Sequence, residues 1–228
     1  MNLNTSSQIK SKQRVANHGE VFTAEREVKA MCDLVKDETE RIDSRFLEPT
    51  CGDGNFLVEI LKRKLNVLKK NYKKSQNDFE KYSVIAVGSI YGVELLSDNA
   101  KTCRQRLFKI WEEEYENLYK DDCDSDFKKV IAFILEKNIL YGNALTLKQV
   151  DANQKDTKTP IIFCEWSLVT EDKIKRRDFR LDELLDGNTD TPDLFMSNWT
   201  YDKETKSFIP NPIKEFAPVD FRRIADYD

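Results

Sequence analysis

Two carboxylates and two glycines set the chemical question in this sequence. Glu48, Gly52 and Gly54 fall within FLEPTCGDGNFLVEIL, Phe46 to Leu61, and Glu94 lies near the end of the later stretch IYGVEL. An apolar strand stopped by a proline, then a glycine turn, then a helical pattern, makes a crevice at the carboxyl end of the strand. Nucleotide-like ligands sit in such crevices, and glycines let them approach the backbone. The phosphate ligands fit poorly. The dinucleotide fingerprint is GxGxxG, whereas this chain has GDGNFL with bulky Phe56 and Leu57, and the GxxxxGK[ST] loop needs a lysine and a hydroxyl that are missing here. Glu48 would repel a pyrophosphate and welcome an ammonium or sulfonium group. S-adenosylmethionine (SAM) carries both. Glu94, at the end of a second strand, is the carboxylate that an adenosine ligand needs for its ribose hydroxyls. It stands 40 residues after Gly54, against about 20 in the dinucleotide fingerprint. The excess falls in a lysine-rich helix end and loop, where insertion is cheap.

Strands and helices must hold these residues. Thr23 and Glu25 start a helix read from Ala24 to Asp37, with Val28, Met31, Leu34 and Val35 on one face. SRFLEP reads as a short buried strand, and after the turn Phe56, Leu57, Ile60, Leu61, Leu65 and Leu68 recur at helical spacing. The following KKNYKKSQNDFEKY reads as a solvated helix end and loop without a role of its own. VIAVGSIYGVEL gives a second strand signal, NAKTCRQRLFKIWEEEYENLY an amphipathic helix, DFKKVIAFILEKN another, and TPIIFCEWSLV a later strand. This alternation predicts an α/β protein with a parallel, helix-covered sheet. From Thr170 onward the chain is polar, with weak strand signals. The organisation expected is a polar leader over 1–23, a core over 24–169 and an extended polar region over 170–228.

Composition limits what else the chain can be. Its 228 residues, 39% hydrophobic, suit one sizeable core. The 41 acidic residues slightly outnumber the 37 basic ones, so there is no global electrostatic grip on DNA or anionic membrane. Five scattered cysteines without a CxxC pair or a histidine cluster argue against zinc and against a disulfide framework, and point to a reducing, cytoplasmic setting. The polar start MNLNTSSQIKSKQ has no apolar export segment, and no run is long enough to span a bilayer. His18, the only histidine, has no partner motif and reads as structural. Cys51 is a small residue explained by ligand access rather than a nucleophile, and Trp166 a core or interface residue. KIKRRDFR, Lys173 to Arg180, is the best local basic patch: either a track for a DNA backbone or a solvated loop.

At this point the residues resemble a family. Phe46–Leu57 is similar to motif I, Tyr91–Leu95 to motif II and YGNAL (Tyr141–Leu145) to motif III of SAM-dependent DNA adenine-N6 methyltransferases of restriction-modification type. HGEVFTAEREVKAMCDLV, from His18, resembles the motif X that precedes motif I in that family. The resemblance implies a Rossmann-like methyltransferase fold, mostly parallel with helices on both faces, and a cofactor set of SAM ligands. In that set Thr23 holds the methionine carboxylate, while Glu48 and the turn with Thr50, Gly52, Gly54, Asn55 and Phe56 hold the methionine moiety. Glu94 holds the ribose and Asn143 the adenine amino edge, with Leu95 and Ala144 completing the set. Asn143 stands where the family usually has aspartate, and its amide oxygen can still accept.

The same resemblance exposes a gap. The family holds the target amine with an Asn-Pro-Pro-Tyr or Asp-Pro-Pro-Tyr motif, and neither occurs here. The nearest approach is SNWTY, where Asn198 and Tyr201 have the right separation but Trp199 and Thr200 replace both prolines. In this respect the chain resembles the small cofactor-binding subunit of a split enzyme. The implied setting is a restriction-modification or phage-defence system, with a second subunit bringing the motif and target recognition, and DNA met through the complex. No catalytic residue and no metal are expected in this chain. PNPIKEFAPVDFRRIADYD, with Ile213, Phe216, Val219 and Phe221, is the expected docking tail. Two other readings stay open: a complete small methyltransferase using Asn198 and Tyr201, and a non-enzymatic SAM-binding regulator.

Overall fold

Local signals start and stop the first elements. In the computed structural model, which describes residues 10–185, 199–202 and 207–227, helix α1 (Lys12–His18) begins where the Ser11 hydroxyl accepts from the Arg14 N–H and ends at Gly19, φ 64°. Helices α2 (Glu25–Leu34) and α3 (Lys36–Thr39) follow where one helix to Asp37 is expected. Val35, at φ −122° and ψ 39°, separates them. The buried face also differs from the expected one. Val28 and Cys32, one turn apart, face the core, whereas Met31, Leu34 and Val35 are 53%, 85% and 49% exposed.

Strand β1 (Phe46–Glu48) then leads through the glycine turn into α4 (Asn55–Tyr72). The segment expected as loop and strand is instead a helix, α5 (Gln76–Gly88), capped by Ser75. It places the β-branched Val84 and Val87 in the core, and packing there outweighs their modest helix propensity. Only Ile90–Glu94 forms strand β2. Helices α6 (Ser97–Tyr119) and α7 (Ser125–Asn138) flank the turn at 120–122, and β3 (Ile139–Asn143) ends the repeating unit.

Two short strands, β4 (Lys148–Val150) and β5 (Asp156–Pro160), complete a five-stranded sheet in the order β1-β2-β3-β4-β5. β1, β2 and β3 are parallel, whereas β4 and β5 join antiparallel. The sheet is thus a mixed α/β sheet with a parallel centre rather than parallel throughout. One face rests on α4 and α6. On the other, Tyr91 and Val93 meet Ile161, Phe163 and Leu181, which come from β6 (Ile162–Thr170), the residue before it and the short α8 (Leu181–Leu185). That face is covered largely by a strand where helices are expected.

The region after Thr170 is more ordered than its polar composition suggests. β7 (Lys173–Arg180) pairs antiparallel with β6 along nearly its whole length. After β8 (Trp199–Asp202) and β9 (Ser207–Pro210), which pair with each other, β10 (Lys214–Glu215) and β11 (Val219–Asp220) pair with β7. The terminal 3-10 turn, Phe221–Tyr227, sends Phe221 and Ile224 into the main core. Phe221 meets Phe127 edge to face at 5.9 Å, and Arg222 donates to the Glu80 carboxylate at 2.7 Å. The expected docking tail therefore packs on its own chain: Phe221 is buried, Phe216 and Val219 are half-buried, and Ile213 alone of that series is exposed. No described helix is long and apolar enough to cross a membrane.

Candidate functional site

The carboxyl ends of β1, β2 and β3 open into a cavity of about 520 Å³, a size suited to a nucleotide-like ligand. Thr23, Glu48, Thr50, Gly52, Asn55, Phe56, Glu94, Leu95, Asn143 and Ala144 all line it. Four separate segments are needed to bring them together: the stretch before α2, the β1–α4 turn, the end of β2 and the end of β3.

The turn depends on two glycines in the left-handed region, Gly52 at φ 55° and Gly54 at φ 94°. They do different jobs. A Cβ on Gly52 would sit 3.1 Å from the Phe22 ring, on the cavity side. A Cβ on Gly54 would sit 2.6 Å from the Cys103 sulfur on α6, and Gly54 is absent from the cavity wall. Gly54 therefore permits close packing of the turn on the helix.

Glu94 is 8% exposed and closes the turn onto β2. One carboxylate oxygen accepts from the Gly52 N–H at 2.8 Å and the other from the Leu96 N–H at 2.9 Å. Each oxygen keeps a lone pair for a further donor such as a sugar hydroxyl. Glu48 is half-buried and has no ion-pair partner among the described residues. Burial pushes its carboxyl above the usual range, against a smaller opposing pull from the Thr50 N–H. An anion left in that state would gain from a cationic ligand. Asn143 is less free than expected. Its side-chain oxygen accepts from the Leu145 N–H at 3.0 Å and its amide donates to Asp156 at 3.1 Å, leaving one acceptor position on the oxygen.

Several wall residues are not singled out individually by the sequence. Gly19, Glu20, Val21 and Phe22, within the segment that resembles motif X, cover the cavity ahead of Thr23. Arg14 donates to both oxygens of Glu20, at 2.5 and 2.7 Å, and to Asp98 at 2.9 Å, while Asn99 donates to Glu20 at 2.5 Å. This network fastens the covering segment to the first turn of α6. Its hydrogen bond from Arg14 holds the Glu20 carboxyl below the usual range, against a smaller opposing effect of burial. Asn55 adds a second fastening, donating to the Thr23 carbonyl at 3.0 Å. Only geometry finds Asn99, which lies five residues beyond Glu94 in an otherwise ordinary helix start.

Other candidates sit away from ligand chemistry. Contact with Cys103 and burial push the Cys51 thiol up, so it offers no ready thiolate. All five cysteines are unpaired. Trp166 is buried, with its indole N–H donating to Asn138. KIKRRDFR is neither a loop nor an open cationic track. As β7 it pairs Lys175 with Glu215, Arg176 with Asp178, Arg177 with Glu165 and Arg180 with Asp182. Asn198 lies outside the described residues, as do the side chains of Tyr201 and His18.

A family model described as MmeI, DNA-methyltransferase domain, matches residues 23–164, more than half of the chain. The match begins at the cavity residue Thr23 and ends within β6. No curated protein and no solved structure matches the chain.

Proposed function

The chain belongs to the MmeI DNA-methyltransferase domain family, a restriction-modification type of DNA methyltransferase, and on that premise we propose that it is the SAM-binding subunit of an adenine-N6 enzyme. In this reading the catalytic Asn-Pro-Pro-Tyr motif and target recognition lie on a second polypeptide, within a restriction-modification or phage-defence system.

One observation supports it above the rest: Glu48, the Gly52 turn, Glu94 and Asn143 converge from separate segments on one cavity. Bound SAM supplies an electrophilic methyl group. The chain's residues bind and orient it. Glu48, half-buried without a base, receives the positive methionine end, and Thr23 takes the methionine carboxylate. The backbone at Gly52 allows close approach because no side chain stands there. Glu94, already fixed by two backbone N–H groups, offers its remaining lone pairs to the ribose, and Asn143 with Ala144 borders the adenine. Orientation of this kind converts binding into rate only when the target amine is aimed as well. The sequence contains no Asn-Pro-Pro-Tyr or Asp-Pro-Pro-Tyr to aim it.

A titration with S-adenosylhomocysteine and a radiolabelled-SAM assay on DNA test the two halves of the proposal. The expected results are saturable binding by the chain and methyl transfer only when the partner is added. Absence of binding with and without partner rejects the cofactor assignment. Partner-free methylation lost on Asn198→Ala rejects the split assignment in favour of a complete small enzyme.

A further inference from the structure

A turn built on two left-handed glycines is intrinsically loose, and Glu94 fastens only its first half. The second half is held from outside the cavity. Arg106, on α6, donates through Nη1 to the Asp53 carbonyl at 2.8 Å and to the Asn55 side-chain oxygen at 2.9 Å. The same nitrogen lies 2.8 Å from Asp53 Oδ1. Asp53 and Asn55 both line the cavity, whereas Arg106 does not. Because Arg106 occupies the Asn55 oxygen, the Asn55 amide is turned so that its NH₂ reaches the Thr23 carbonyl.

We infer that Arg106 is a positioning residue for the cofactor site. It braces the ligand turn through Asp53 and Asn55 and, through Asn55, couples that turn to the segment covering the cavity. The inference rests on the cofactor reading above. The planar guanidinium suits this work because one nitrogen presents two donors in fixed directions while its charge stays beside the Asp53 carboxylate. A lysine keeps charge and donors but not their fixed geometry, and a methionine keeps bulk alone.

Two measurements on the full chain test the inference. In titrations with S-adenosylhomocysteine, Arg106→Met should weaken binding by about tenfold and Arg106→Lys by about threefold, the loss following the donors rather than the bulk. In hydrogen exchange without any ligand, Arg106→Met should speed exchange at Asp53, Gly54 and Asn55 while the middle of α6 keeps its wild-type rates. Unchanged affinity in Arg106→Met, with the wild type binding, overturns the inference. So does faster exchange spread across the whole chain with a lowered unfolding midpoint, which would make Arg106 a general packing residue. A wild type that binds neither alone nor with its partner, while the turn still loosens locally, leaves the brace standing and removes the cofactor reading instead.

Discussion

The two ends of strands β1 and β2 each bury an ionisable side chain, and the contrast between them separates a site from a seal. At the carboxyl end, Glu94 accepts from the Gly52 and Leu96 N–H groups beside an open cavity. At the amino end, Lys64 is fully buried and donates to the Ile42 carbonyl at 2.9 Å, the Ser44 carbonyl at 2.5 Å and the Ser89 hydroxyl at 2.6 Å. Both tie the loop next to β1 to β2. The lysine uses all three of its donors within the protein, whereas the carboxylate retains acceptor capacity. Burial alone therefore does not make a candidate site; unused hydrogen-bonding capacity facing a cavity does.

The largest effect expected from breaking this contrast is on stability. Lys64→Ala leaves two carbonyls and a hydroxyl without their donor and opens a cavity, so chemical denaturation should show a loss of about 3 kcal/mol. Ligand affinity should stay within about twofold of wild type. A large loss of affinity would show that the two ends are coupled through the strands.

The lysine also predicts a pH dependence. Burial pushes Lys64 down to about 7, from an unfolded value of about 10.4. Between these values the unfolded chain binds more protons than the folded one, so stability should rise with pH from about 7 to about 10, by at most about 1.4 kcal/mol per unit. Below about 7 the full penalty for burying the charge applies, and above about 10.4 it is gone. Denaturation midpoints for wild type and Lys64→Met across this window test the sign. The substituted chain should lack this component of the slope.

At the opposite end, Glu94→Gln must set an amide NH₂ against the Gly52 or Leu96 N–H. We expect about tenfold weaker S-adenosylhomocysteine binding with about 1 kcal/mol of lost stability. The reverse pattern, lost stability with intact binding, would reduce Glu94 to a second structural clip. The smallest change is expected from Asn143→Ala, about two- to threefold in affinity, because the Asn143 oxygen already serves Leu145.

These sites differ in how far a sequence betrays them. The β1 turn and Glu94 are legible because ligand access and charge complementarity restrict residue types at fixed places along one strand–turn–helix unit. The order of β1, β2 and β3 follows from the same alternation. Helix α5 is not legible in this way: its Val84, Ile85 and Val87 carry a strand signal, and only the surrounding core makes them helical. β7 hides for another reason. Its bases look solvated until Glu165, Asp178 and Glu215 are seen beside them, and the pairs with Glu165 and Glu215 depend on register between separate strands. The packing of the tail is hidden similarly, since an apolar series without a local core can belong to a distant one, as Phe221 does. Arg106 is one base among several on α6, and nothing in its neighbours announces that it reaches back to Asp53.

The hydrogen bond from Gly52 to Glu94 has a practical consequence. An amide proton held at 2.8 Å between heavy atoms by a carboxylate is strongly polarised, so the Gly52 resonance should lie well downfield of ordinary glycine amides. Any hydroxyl that arrives at Glu94 competes for the same electron density and moves that resonance back. One peak in a nitrogen–proton correlation spectrum would then act as a built-in gauge of cavity occupancy, with no label on the small molecule.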